Sequence, residues 1–360
     1  MVAAHWRYVE AEERPGFSRI KEHNVCSSPT GSPAVDTSEL QQQVAAWCTH
    51  PALAELVGIF GGAVPYGLSL SDRLAFLDEF SDAWDYRGRA RAAAAGRLSS
   101  QDAAGAARWL IPRLTLPAAQ LERIEGSLAA LGLTDETRPE GMDFDHILVI
   151  GGARYTNLLR ARYAREMATG RRIGHVVLAA ASRPLLDSEH DAVDACAPGA
   201  RTEFELMAAG AAHAFGLDTR EVAEHARGRV DQPQRDETVW SFTPDSNDLG
   251  VPITLLETPS PDPDNRRANS ADTYTFAART VGMRHSSCLM VTGQPVGLYL
   301  HFEALRSLAL PFGMRVESAS FGVDRYNRLG ATDEQHPAKQ LQEVRSAIRS
   351  ALALVIALSR

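Results

Sequence analysis

Lysine is almost missing from this 360-residue chain: of 37 basic residues only Lys21 and Lys339 are lysine, which leaves 37 − 2 = 35 arginines. A phosphate-loop lysine, a Schiff-base lysine or a lysine general base is therefore not expected. Cysteine is sparse as well. Cys26, Cys48, Cys196 and Cys288 stand far apart, without a CxxC pair or a zinc spacing, and read as free thiols of a reducing compartment. Long hydrophobic runs are absent: the longest, residues 351–358, falls far short of a membrane span, and residues 1–13 carry no apolar signal core. A cytoplasmic protein with no membrane partner is expected. The net charge of −8 argues against a general polyanion binder, and so against nucleic acid as the partner. GxSxG, HExxH and Walker sequences are missing, and neither His146, His285 nor His301 falls into a triad or a metal grouping, so no metal site is expected.

What is present changes character along the chain. Residues 1–35 are rich in proline, serine and glycine around residues 27–33, which suits a flexible or extended arm. Residues 36–138 read as a helical module. Capping-type starts stand at Asp36/Thr37 and Ser71, and apolar residues recur at helical spacing in Leu74, Leu77, Phe80 and Trp84 and again in Leu121, Ile124, Leu128 and Leu131. From residue 139 to 360 short apolar runs alternate with helical stretches. Strands are expected at 146–150, 175–179, 253–256, 287–291 and 315–320, with helices near 157–168, 202–215, 268–281, 296–307 and 338–358. This alternation predicts a Rossmann-like three-layer α/β sandwich with a mainly parallel sheet, joined to the N-terminal helical module. Residues 229–250 are too long for a plain connection and suit a lid or an added hairpin.

Open α/β sheets bind ligands outside the carboxyl ends of their strands, so the residues just past each expected strand are the candidates. The first exit offers Gly151, Gly152 and Arg154, followed by Asn157 as a possible helix cap and by Arg160. Gly-Gly after a strand is as often a tight turn as a ligand contact, and Arg160 belongs to a basic group with Arg162, Arg165, Arg171 and Arg172 that reads more readily as a solvated face. The second exit gives Ser182 and Arg183, where a guanidinium would suit a phosphate or carboxylate. Thr202 and Glu203 open the next helix, and capping alone accounts for them as well as function does. Glu257 ends an apolar strand, which would desolvate its carboxyl for acid or base work, although a salt bridge is the competing account. Asn269 opens a helix and serves either as its cap or as a ligand contact. Thr292, Gly293 and Gln294 follow the fourth strand and would place hydroxyl, backbone and amide groups on one ligand.

In order, these features resemble the YdcF/SanA/ElyC-like domain of unknown function over roughly residues 145–325. The matching pieces are the apolar strand into Gly151-Gly152, Arg160, the strand ending near Ser182, the pair Thr202-Glu203, Glu257, the polar loop leading to Asn269, and Val291-Thr292. The family's Ser, Tyr-His pair and arginine after Val-Thr are replaced here by 293–299, which run Gly-Gln-Pro-Val-Gly-Leu-Tyr, so the resemblance implies the fold more strongly than the site. It implies a small-molecule enzyme binding a nucleotide-like or anionic ligand, with S-adenosylmethionine or another nucleotide as the cofactor. Glu257 and Glu203 would be its catalytic carboxylates. The alternatives are a non-catalytic ligand-binding or partner protein with an altered site, and a hydrolase or ligase using the paired carboxylates.

Overall fold

The computed structural model describes residues 17–18, 35–94, 110–152, 154–228, 238–328 and 336–360. In chain order the first elements are β1 (Phe17–Ser18), α1 (Thr37–Cys48), α2 (Pro51–Ile59), α3 (Leu70–Phe80), α4 (Tyr86–Ala94) and α5 (Ala118–Ala130). They are followed by β2 (Asp143–Ile150), α6 (Thr156–Ala168), β3 (Arg172–Ala180), α7 (Asp187–Val193), α8 (Glu203–Phe215), α9 (Arg220–Arg227), β4 (Thr238–Phe242) and β5 (Ile253–Glu257). The last are α10 (Ser270–Thr280), β6 (Ser287–Gly293), α11 (Gly297–Ala304), β7 (Arg315–Phe321) and α12 (Pro337–Leu358). Asp36 caps α1 as expected, its carboxylate accepting from Ser38 N at 2.9 Å. The cap of α3 is Ser69 rather than Ser71. Ser69 has the extended backbone that lets its hydroxyl reach Asp72 N at 3.1 Å, whereas Ser71 already lies inside the first turn.

The chain forms two compact units. One contains residues 138–292 and 307–319, the other residues 36–137, 293–306 and 320–360. In the first, the strand order is β1-β4-β5-β3-β2-β6-β7, and the pairs β2–β3, β2–β6 and β3–β5 are parallel. Counting β2, β3, β5, β6 and β7 as one to five gives the order 3-2-1-4-5, the Rossmann winding, which reverses direction between β2 and β6. Every residue of β5 is buried, as is the second half of β2 and of β3, because strands covered on both faces need apolar side chains at every position. The strand β4, between the two-residue β1 and β5, pairs antiparallel to β5 with alternating burial, so the hairpin-like part of 229–250 joins the sheet, while residues 229–237 lie outside the described residues. Of the expected arm, Phe17 and Ser18 pair with Phe242 and Ser241 and the other residues before Val35 lie outside the described ones. Helices α6 and α8 pack on each other and on β2 and β3, and α10 packs on the same two strands. The result is a three-layer α/β sandwich.

The second unit is helical and centres on α12, whose apolar positions Leu341, Val344, Ile348 and Leu354 are buried. Its interior also holds paired charges. Arg87 Nη2 donates to Glu343 Oε1 at 2.6 Å, and Arg345 meets Asp82 and donates to Ser81 Oγ at 2.7 Å. Glu303 accepts from Arg306 and, at 3.1 Å, from Ser350 Oγ. Among the described residues no helix is long and apolar enough to cross a membrane.

Candidate functional site

At the end of β2 the chain turns through Gly151 and Gly152. Gly151 N donates to Ala179 O at 2.7 Å, and a Cβ on Gly151 would stand 2.7 Å from Ala180 Cβ, so packing against β3 by itself requires glycine there. Gly152 N donates to Asn157 Oδ1 at 2.8 Å, and Asn157 Nδ2 donates to Glu203 O at 2.9 Å. Asn157 is thus not the cap of α6. It lies inside the first turn, fully buried, and ties the β2 exit to the start of α8. Arg160, 3% exposed, donates through Nη1 to Ile150 O at 2.7 Å and Gly151 O at 2.9 Å, holding the strand-end carbonyls. Arg154 has a left-handed backbone with φ 50°, rare for a residue with a Cβ. Ala153 lies outside the described residues.

The β3 exit is organised around Arg183. Its Nε donates to Glu203 Oε1 at 2.8 Å, and Nη1 and Nη2 grip both oxygens of Glu189 at 2.9 Å. The charge of Glu203 and the bonds to Glu189 outweigh burial and raise the arginine above its ordinary range. Burial pushes the wholly buried Glu189 carboxyl up, but the hydrogen bonds and charge of Arg183, the Leu186 N–H and the charge of Arg154 together hold it below the usual value. Thr202 is the cap of α8, accepting from Glu205 N at 3.1 Å while Glu205 Oε2 accepts from Thr202 N at 2.9 Å. Sequence reasoning singled out neither Glu189 nor Glu205. The Thr202-x-x-Glu205 spacing of a capping box was a usable signal for the second.

The third member is Glu257, at the end of β5 and 1% exposed. Ser182 Oγ donates to its Oε1 in a short hydrogen bond. Its Oε2 receives no hydrogen bond among the described residues, and His225 Nε2 stands 3.7 Å from it. His225 comes from α9, its Nε2 lies 3.3 Å from Thr238 Oγ1, and its ring meets Trp240 edge to face at 5.8 Å. Thr238 pairs directly with Glu257 across β4 and β5, and Trp240, two residues along, shares the same sheet face. No sequence signal marked His225, an isolated histidine on a polar helix.

Thr292 stands level with Ile150, since Val149 pairs with Val291, and its buried hydroxyl has no partner among the described residues. Asn269 serves as the cap of α10, accepting from Asp272 N at 3.1 Å while its own N–H donates to Asp272 at 2.8 Å. Burial raises the Asp272 carboxyl, but the bonds from Arg266 and Asn269 outweigh it and lower its pKa overall. Gly293 and Gln294 belong to the helical unit, where Gln294 Nε2 donates to Asp135 O at 3.2 Å. The arginines beyond Arg160 are engaged locally: Arg162 with Glu166, Arg165 with Asp248 O, Arg171 with Gly141 O and Arg172 with Asp143. Among the described residues no group of His, Cys, Asp and Glu could hold a metal ion. The structure therefore links Gly152, Asn157, Glu203 and Arg183 in one network and sets Ser182 and Glu257 beside it through the adjacency of Ser182 to Arg183. It keeps Asn269 to its cap.

Residues 31–132 match the family described as the Rv3785 N-terminal domain. Over 328 residues, 90% of this chain and 91% of theirs, the chain is 60% identical to "Uncharacterized protein Mb3814" of Mycobacterium bovis and to "Uncharacterized protein Rv3785" of Mycobacterium tuberculosis. No solved structure matches. With that identity across nine-tenths of both sequences, the chain belongs to the Rv3785 family.

Proposed function

We propose that the sheet-containing unit is a small-molecule enzyme of YdcF-like type that binds a nucleoside-like ligand, with S-adenosylmethionine as the leading choice, at the carboxyl ends of its strands. One observation carries this reading: the exits of β2, β3 and β5 hold a buried run of polar side chains in which Glu257 keeps one carboxylate oxygen without a donor among the described residues. Such sites in open sheets lie at these strand ends, near the reversal of winding that here falls between β2 and β6. Arg160 and Arg183 are engaged with carbonyls and carboxylates, which favours the nucleoside-like half of the expectation over the anionic half. Glu257 would accept from a ligand hydroxyl or amine and handle a proton during turnover. Thermal unfolding with S-adenosylmethionine, nucleosides and nucleotides tests this. A ligand at 100 times its dissociation constant should stabilise by about 2.7 kcal/mol, and no shift with any of them would reject the reading. A second reading, a binding protein without turnover, is favoured by the extent to which these polar groups bond to one another. It predicts a ligand-induced shift with no product.

A further inference from the structure

The charges around the β3 and β5 exits do not cancel. Arg183 is held by Glu189 and Glu203, and Arg227 Nε lies 3.4 Å from Glu205 Oε1. Among the described residues Glu257 is paired with no guanidinium. A carboxylate buried to this degree, with one oxygen bonded to a serine hydroxyl and the other to no donor among the described residues, costs more than that single hydrogen bond returns. His225 does not complete it, because 3.7 Å is beyond hydrogen-bonding range.

We propose that Glu257, Ser182, His225 and Trp240 form a binding site for an organic cation, a protonated amine whose N–H donates to Glu257 Oε2. This rests on the strand-exit reading and gives its ligand a chemical class. A neutral donor would satisfy the oxygen but leave the charge. An ammonium group satisfies both, and charge-assisted hydrogen bonds are the stronger kind. Trp240, nearly buried on the same face as Glu257, supplies an aromatic wall of the sort that accompanies carboxylates in amine recognition. His225, which faces Oε2 at 3.7 Å, has a side chain 29% exposed, against 2% for that of Glu257, so it is the member of the group nearest to solvent.

The test is thermal unfolding of the full chain with agmatine, spermidine and S-adenosylmethionine as cationic probes and adenosine as an uncharged one, for the wild type, Glu257→Gln and His225→Ala. A cationic probe is expected to stabilise the wild type progressively as its concentration rises, following the logarithm of that concentration above its dissociation constant. Glu257→Gln is expected to weaken that binding roughly thirtyfold or more. Without ligand the same variant should unfold no lower than the wild type, because it removes an uncompensated charge. His225→Ala should bind at least as well as the wild type. Stabilisation by adenosine, with the cationic probes inert, would overturn the cation while leaving the strand-exit site standing. Probes that bind Glu257→Gln as tightly as the wild type would overturn it too, as would a marked loss of stability in ligand-free Glu257→Gln, which would make Glu257 a structural partner. Silence from all four probes would count against both the cation and the strand-exit reading.

Discussion

The interior of the helical unit and the strand-exit end of the sheet both bury charge, and they treat it differently. Around α12 the buried carboxylates Glu343 and Glu303 each meet an arginine, and Arg345 meets Asp82 and Ser81. At the strand exits Arg183 is doubly matched, yet Glu257, bonded to the neighbouring Ser182, keeps an oxygen with no donor among the described residues. Buried charges are almost always paired, so a buried carboxylate matched by a guanidinium reads as scaffold and a buried carboxylate without one reads as a place kept for something else. The same residue types thus carry two roles, and only their partners tell the roles apart.

The comparison can be broken most forcefully at Arg183. Arg183→Met leaves Glu189, wholly buried, facing Glu203 without its bidentate partner and with only the more distant charge of Arg154 to offset it, and should cost about 3–5 kcal/mol in chemical denaturation. Arg345→Met should cost distinctly less, because Asp82 is 74% exposed and falls back on water. Equal losses would mean that burial of the partner does not set the cost.

Acid probes both units at once. Burial lowers His146 and His175 in the sheet unit and His301 in the helical unit from 6.5 to about 4, with the charge of Asp145 partly opposing the shift at His146. The unfolded chain takes up protons below about 6.5 and the folded chain only below about 4, so the stabilisation is complete above 6.5 and is lost as the pH falls between those values. Each histidine should remove on the order of 2 kcal/mol between pH 7 and 5. Denaturation curves that coincide at the two pH values would contradict their buried, neutral state. The smallest effect is expected at Asn269. Asn269→Ala removes only a helix cap, about 1 kcal/mol, and should leave ligand binding unchanged; a loss of binding would return Asn269 to the site.

Much of the fold was legible in the sequence because it rests on contiguous apolar runs. The five expected strands appear within a few residues of their predicted positions, since strands buried on both faces cannot hide among polar residues. The antiparallel strand β4 was harder to read. Its half-buried residues Val239 and Ser241 and its neighbouring Pro244 look like loop, and an antiparallel strand needs burial on one face only. The site was legible as a set of positions and not as a set of partners. Ser182, Arg183, Glu203 and Glu257 all sit where strand-exit logic placed them, but nothing local shows that Arg183 faces Glu189, or that Asn157 turns back to Gly152 instead of capping α6. Contacts between residues distant in sequence, such as His225 of α9 with Thr238 and Trp240 of β4 and with Glu257 of β5, leave no mark on the residues around them.

The measurement that bears most directly on the strand-exit site is amide hydrogen exchange, read by mass spectrometry, with and without S-adenosylmethionine. Slowed exchange is predicted in peptides spanning 151–160, 182–189 and 255–260, with the helical segments 37–94 unchanged. Slowing confined to those helical segments would contradict the account, as would an unaltered exchange pattern throughout the chain.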